Sequence, residues 1–232
     1  MIVCKDFPNQ TFETKSDLFK ALVANKDELI RIKKSNIQKG IEKGALNCID
    51  AVKYPTDANK SGLDFELKSD YIYPIISTTR YVDSHKDCHL DGCFTKTVKE
   101  QQGKVYYALD HELKWDSILA WEKDVNMFVA NVPWSAVGKS YAGTTEALIF
   151  EIRKDAIRNK GVLDAIESKV SKFENSIRMQ YHDIVLALDS NDDDMKEYKT
   201  NFDENINQIA NKEVVLEDGF VFRKYSKTQK VR

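Results

Sequence analysis

Histidine is scarce in this chain of 232 residues, with only His85, His89, His111 and His182. His85, Cys88, His89 and Cys93 fall within one short stretch and carry the imidazole and thiolate donors that a tetrahedral Zn²⁺ takes. Structural zinc sites usually join two ligand pairs from separated segments, and no second pair follows here. The spacing therefore favours a polar loop with incidental His and Cys over a metal centre. His111 closes the alternating run 104–110 and stands between Asp110 and Glu112. A strand-end histidine can project into a cleft, and flanking carboxylates favour its charged form. A solvated histidine fits the same pattern. Ser176 begins a strand-like run and lacks a Gly-x-Ser-x-Gly elbow. No Walker motif, Gly-x-Gly-x-x-Gly or His-Glu-x-x-His is present. Spacing alone leaves the function open.

These residues need elements to position them. Residues 14–43 read as helical: Thr14 and Asp17 have capping-box spacing, and Leu18, Leu22, Leu29 and Ile32 follow at near-helical intervals. Asn25-Lys26-Asp27-Glu28 offers a second helix start. Lys33, Lys34, Lys39 and Lys43 form the polar, solvated face. Residues 50–70 are polar, with Pro55 and Ser61-Gly62, and read as a connection. The period then shortens. Residues 71–76 are rich in β-formers, with Pro74 marking an edge or bulge. Residues 104–110 place Val105, Tyr107 and Leu109 on one face. Residues 118–132 read as a hairpin through Glu122-Lys123-Asp124, and 147–152 as another strand.

A helix is expected over 162–173, then a long strand over 175–188. In that strand Ser176, Arg178, Gln180 and His182 share one face, and Ile177, Met179 and Tyr181 the other. Residues 190–211 read as helical, with acids at the start and Met195, Tyr198, Phe202, Ile206 and Ile209 as a packing stripe. Residues 214–222 resemble a hairpin through Glu217-Asp218-Gly219. Locally paired strands with helices inserted indicate an α+β or β-barrel fold rather than alternating βαβ units.

Composition narrows the class. Hydrophobic residues at 42% and charged residues at 31% are those of a globular protein and exclude disorder. Lys+Arg at 35 against Asp+Glu at 37 gives a net charge of −2, so nothing points to nucleic acid held by bulk electrostatics. No apolar run approaches the roughly 20 residues that span a bilayer, and the first residues lack a signal-peptide pattern. Cys4, Cys48, Cys88 and Cys93 are too few for a disulfide scaffold, so reduced thiols in a cytoplasm are expected.

Four segments together resemble the prohead (capsid maturation) protease family of tailed bacteriophages, related to the herpesvirus assemblins. The first is Val82-Asp83-Ser84-His85-Lys86-Asp87 with Leu90-Asp91-Gly92-Cys93-Phe94-Thr95-Lys96-Thr97-Val98, similar to an Asp-rich turn running into a helix start. The second, Val105-Tyr106-Tyr107-Ala108-Leu109-Asp110-His111-Glu112, is similar to the strand ending in the family's histidine. The third is Gly143-Thr144-Thr145-Glu146-Ala147-Leu148-Ile149-Phe150-Glu151. The fourth, Asn175-Ser176-Ile177-Arg178-Met179-Gln180-Tyr181, is similar to the strand bearing the family's serine. Residues 205–212 and Gly219-Phe220 continue the match, which covers roughly residues 70–225.

The resemblance implies an α+β fold with a β-barrel-like, assemblin-like core of mostly antiparallel strands surrounded by helices. It implies a serine endopeptidase that trims phage scaffold and major capsid protein, and itself, inside the immature capsid in the host cytoplasm. His111 would be the general base and Ser176 the nucleophile, with no cofactor and no metal. The herpesvirus enzymes work as dimers, so a homodimer is admitted; neither nucleic acid nor membrane is implied as partner. The division expected is an N-terminal helical region (1–48), a connecting segment (49–70) and a protease domain (71–232) with a helical insertion at about 190–211. Where the family has His-Ser-Ile-Gly, this chain has Asn175-Ser176-Ile177-Arg178. No third triad member is assigned: His182 shares the face of Ser176, but six residues along a straight strand is about 20 Å. The alternative reading is a non-catalytic capsid-assembly or scaffold-binding protein on the same fold.

Overall fold

The computed structural model describes residues 1–35, 38–40, 48–49, 62–83, 85–168, 175, 177–181, 183–225 and 230–231. The chain opens with β1 (Ile2–Val3), β2 (Thr11–Phe12), α1 (Lys15–Ala24), α2 (Lys26–Ser35) and β3 (Gln38–Gly40). Next come β4 (Tyr71–Ile72), β5 (Ile75–Thr78), β6 (Asp87–His89), α3 (Thr95–Gln101), β7 (Tyr107–Ala108), β8 (Ile118–Ala120), β9 (Val125–Pro133) and β10 (Thr144–Arg153). It continues through α4 (Lys160–Ser168), β11 (Ile177–Gln180), β12 (Asp183–Leu188), α5 (Lys196–Ile206), α6 (Lys212–Asp218), β13 (Phe220–Tyr225) and β14 (Lys230–Val231).

Thr14 starts α1 with a reciprocal cap. The Asp17 N–H donates to Thr14 Oγ1 at 3.2 Å, and the Thr14 N–H donates to Asp17 Oδ2 at 3.2 Å. Two N–H groups that the helix cannot satisfy itself are thereby paired. Thr14→Ala is expected to cost about 1 kcal/mol. Urea unfolding checks this: the midpoint should fall with an unchanged slope. The helix ends at Asn25, whose Nδ2 donates to Ala21 O at 2.9 Å, and α2 begins at Lys26. One expectation fails here. Residues 38–40, read as helix, form β3 and pair with Ile177–Met179, so tertiary pairing overrides local propensity.

The largest sheet is built on β10. It pairs along its length with β9, from Thr144↔Pro133 to Ile152↔Val125. Its other edge pairs with β5 and β4, with a register shift between Leu148 and Ile149 beside Pro74. Pro74 has no N–H to donate, so it interrupts the strand as its position suggested; its carbonyl still accepts from Phe150 N at 3.0 Å. The expected hairpin over 118–132 does not form: β8 pairs with β7, and β9 with β10. The short 3-10 turn at Glu122–Asp124 lies between β8 and β9 and carries the chain from one sheet to the other.

A second sheet has the order β12-β13-β6, antiparallel between β12 and β13 and parallel between β13 and β6. A third has the order β14-β11-β3. The long strand read over 175–188 is therefore two strands in different sheets. Ile177, Met179 and Tyr181 are buried as the alternation required. The architecture is α+β with mostly antiparallel strands. Among the described residues, no sheet closes into a barrel.

Residues from both ends of the chain meet in one core, which unites Phe7, Leu18 and Leu22 with Phe150, Leu186 and Phe222. The expected hairpin at 214–222 is helix α6 followed by strand β13. A glycine with positive φ serves either a hairpin turn or a helix end, and here Gly219 (φ +78) follows α6 with its N–H donating to Val215 O at 2.6 Å. A Cβ on Gly219 would lie 2.9 Å from Cζ of Phe19 in α1, so the two helices approach closely there. Just before α6, buried Asn211 acts as a one-residue strand. Its Oδ1 accepts from Val82 N at 2.8 Å and its Nδ2 donates to Val82 O at 2.9 Å.

Candidate functional site

The Asp-rich turn carries a cluster of buried charges. Asp83 Oδ1 accepts from the N–H groups of His85 at 2.8 Å and Asp87 at 3.0 Å, closing a tight turn before β6. Lys33, expected on a solvated face, is instead buried with only 8% exposure. Its Nζ lies 3.1 Å from Asp87 Oδ1, 3.6 Å from Asp6 Oδ1 and 4.5 Å from the centre of the Phe222 ring. Burial disfavours the ammonium charge, but Asp87 and Asp6 outweigh it and hold the lysine above its ordinary pKa. For Asp6 burial prevails over Lys33, and its carboxyl is pushed up.

The metal-type ligands of this stretch do not converge. His85 is exposed. Cys88 packs with Val82, Ala187 and Phe202, whereas Cys93 belongs to the main core with Phe94. Among the described residues no group of three or more His, Cys, Asp or Glu is placed to hold a metal ion.

His111 lies in a 3-10 turn, Leu109–His111, that follows β7 and begins the loop to β8. It is half-exposed. Both Asp110 (φ 51) and His111 (φ 57) adopt left-handed backbone. Asp and His are among the few residue types besides glycine and asparagine that tolerate this region. The loop is closed by Leu109 N donating to Ser117 O at 2.8 Å. The histidine thus stands at a fixed turn, one residue beyond the strand end that the alternation indicated.

Ser176 and His182 lie outside the described residues, and so does the side chain of Arg178. The residue before Ser176 does not. The hydroxyl of Tyr107 in β7 donates to Asn175 Oδ1 at 2.9 Å. The Cys48 thiol also meets the Asn175 side chain, and burial, the larger effect, pushes that thiol up to about 12. Burial likewise holds the Tyr107 hydroxyl well above its ordinary value of 10.0. Cysteine and tyrosine are therefore both protonated at neutral pH, and the thiol is no nucleophile there. The amide of Asn175 lies between two neutral groups, with its oxygen turned to Tyr107.

This bond brings the strand leading to His111 against the residue that precedes Ser176. Sequence reading missed Cys48 and the part played by Asn175. Tyr107 was visible as a strand position, on the face it shares with Val105 and Leu109, but no local pattern links it to residues 48 and 175. Comparison with family models, with curated proteins and with solved structures finds no match to this chain.

Proposed function

We propose that the chain is a serine endopeptidase of the prohead-maturation kind, on an assemblin-like arrangement of strands. In this reading it trims scaffold and capsid-protein segments, and itself, within the immature phage capsid. The observation that carries the reading is the Tyr107–Asn175 hydrogen bond at 2.9 Å. It ties the strand that leads into the turn of the candidate base to the neighbour of the candidate nucleophile, two segments separated by more than sixty residues in the sequence.

The chemistry follows from residue types. The His111 imidazole takes the proton of the Ser176 hydroxyl as its oxygen attacks the peptide carbonyl carbon. The resulting imidazolium then protonates the departing amine, and water repeats the sequence on the acyl-enzyme. The half-exposed position of His111 leaves it accessible to an extended peptide.

A fluorophosphonate probe tests the proposal, because it phosphonylates activated serines and spares ordinary ones. The expected result is label on Ser176, located by peptide mass spectrometry, with Ser176→Ala unlabelled and unable to process scaffold. A folded protein that carries no label on Ser176, or a Ser176→Ala chain that still processes scaffold, overturns it.

A further inference from the structure

The loop that begins at His111 ends in an apolar tip. Leu113 is 59% exposed and Trp115 is 70% exposed, two large apolar side chains presented two residues apart on one loop. The indole is nevertheless held in place. The Arg158 guanidinium carbon lies 4.3 Å from the centre of the Trp115 ring and 4.8 Å from that of Trp121. Arg158 Nη1 also donates to Trp115 O at 2.6 Å and Ile118 O at 3.0 Å, and its N–H to Leu119 O at 2.9 Å. One arginine thus ties the Trp115 carbonyl of the loop to two carbonyls of β8 and stacks on the loop's tryptophan. An exposed aromatic already held in place loses little freedom when something binds it, which is the property of a binding anchor.

Charge and position indicate what binds. Within the loop the Lys114 ammonium pairs with Glu112 at 2.9 Å. Asp110 and Asp116, both exposed, make no ion pair among the described residues. The tip is therefore apolar, with an exposed carboxylate on either side in sequence and the Arg158 guanidinium against its indole. It shares with His111 one short loop closed by the Leu109–Ser117 hydrogen bond, four residues from the candidate base in sequence.

We infer that the Leu113–Trp115 tip is the docking surface for the peptide this site cleaves, taking a long aliphatic or aromatic side chain with a basic residue next to it. The inference rests on the peptidase reading for the identity of the occupant. It is tested by binding rather than by cleavage. Fluorescein-labelled, end-blocked Ala/Gly decapeptides with a central Phe-Lys, Phe-Glu or Ala-Lys are titrated into the Ser176→Ala protein and followed by anisotropy. The Phe-Lys peptide is expected to bind at least tenfold more tightly than either of the others. Trp115→Ala and, separately, Leu113→Ser should each weaken it severalfold or more, with unchanged circular dichroism, and Asp116→Lys should erase the preference for lysine over glutamate.

Equal binding of the three peptides, or binding that neither tip variant alters, overturns the inference. So does a dimer in sedimentation that Trp115→Ala dissolves, because a second copy then covers the tip. The two readings fail separately. Absence of label on Ser176 together with Trp115-dependent peptide binding removes the peptidase and leaves the docking surface. Label on Ser176 without that binding does the reverse.

Discussion

His111→Ala is expected to slow both fluorophosphonate labelling of Ser176 and peptide hydrolysis about 10⁴-fold, the scale set by losing a general base from a serine-type site. The backbone complicates that variant, because His111 has φ 57 and alanine tolerates left-handed backbone poorly. His111→Asn separates the two effects. Asparagine accepts the same backbone but cannot cycle a proton, so it should lose as much activity with little change in thermal stability. Partial recovery of His111→Ala by added imidazole would show that the missing group is a base rather than a turn. An asparagine variant within threefold of wild type in labelling rate would remove His111 from the mechanism.

The largest expected effect on stability belongs to Lys33. Lys33→Ala leaves Asp87, itself 2% exposed, as a buried carboxylate stripped of its cation. Removing one member of such a pair costs about 3–5 kcal/mol, against total stabilities of about 5–15 kcal/mol for domains in general. The double variant Lys33→Met with Asp87→Leu should recover part of that loss, because it removes both charges of the pair together and leaves only Asp6, whose carboxyl is already pushed up by burial. Guanidinium unfolding of the two proteins measures the difference; a single variant that loses less than 1 kcal/mol would mean water reaches the pair.

The sign with pH is fixed by the same groups. Lys33 is held above its ordinary 10.5, so its contribution is complete below that pH and is lost as pH rises through the raised value. Burial, the largest cause, also raises the Tyr181 hydroxyl from 10.0, and its contribution fades in the same direction. Stability should thus decline from about pH 10 upward, and less steeply above 10.5 in the Lys33→Met/Asp87→Leu protein.

How much was legible in the sequence depended on whether the deciding partner was local. The capping box of Thr14 and Asp17 lies within one helical turn, and the sequence marked it correctly. The alternation of Ile177, Met179 and Tyr181 likewise identified the buried face without reference to any other segment, and Pro74 marked the interruption between β4 and β5. Reading failed where the partner was remote. Nothing near residue 125 says that β9 pairs forward with β10 instead of back with β8. Lys33 looks like any solvated lysine until Asp6 and Asp87 are brought beside it. Gly219 carries a signal for positive φ that hairpins and helix ends share, so the residue was identified and its element was not. In the candidate site, His111 could be singled out because histidine is rare here, whereas Cys48 and Asn175 acquire a role only through contacts across the fold.

The close approach of Phe19 to Gly219 has a consequence for synthesis. A nascent chain that has made α1 and α2 lacks part of the core that covers Leu18, Phe19 and Leu22, which includes Leu186, Phe220 and Phe222, until β12, α6 and β13 have left the ribosome. At about 5–20 residues per second, that wait is on the order of 10–40 s. Contacts this far apart in sequence leave that part of the core incomplete until β12, α6 and β13 have been made, and they are slow to form. During the interval the amphipathic N-terminal helices remain open to chaperones.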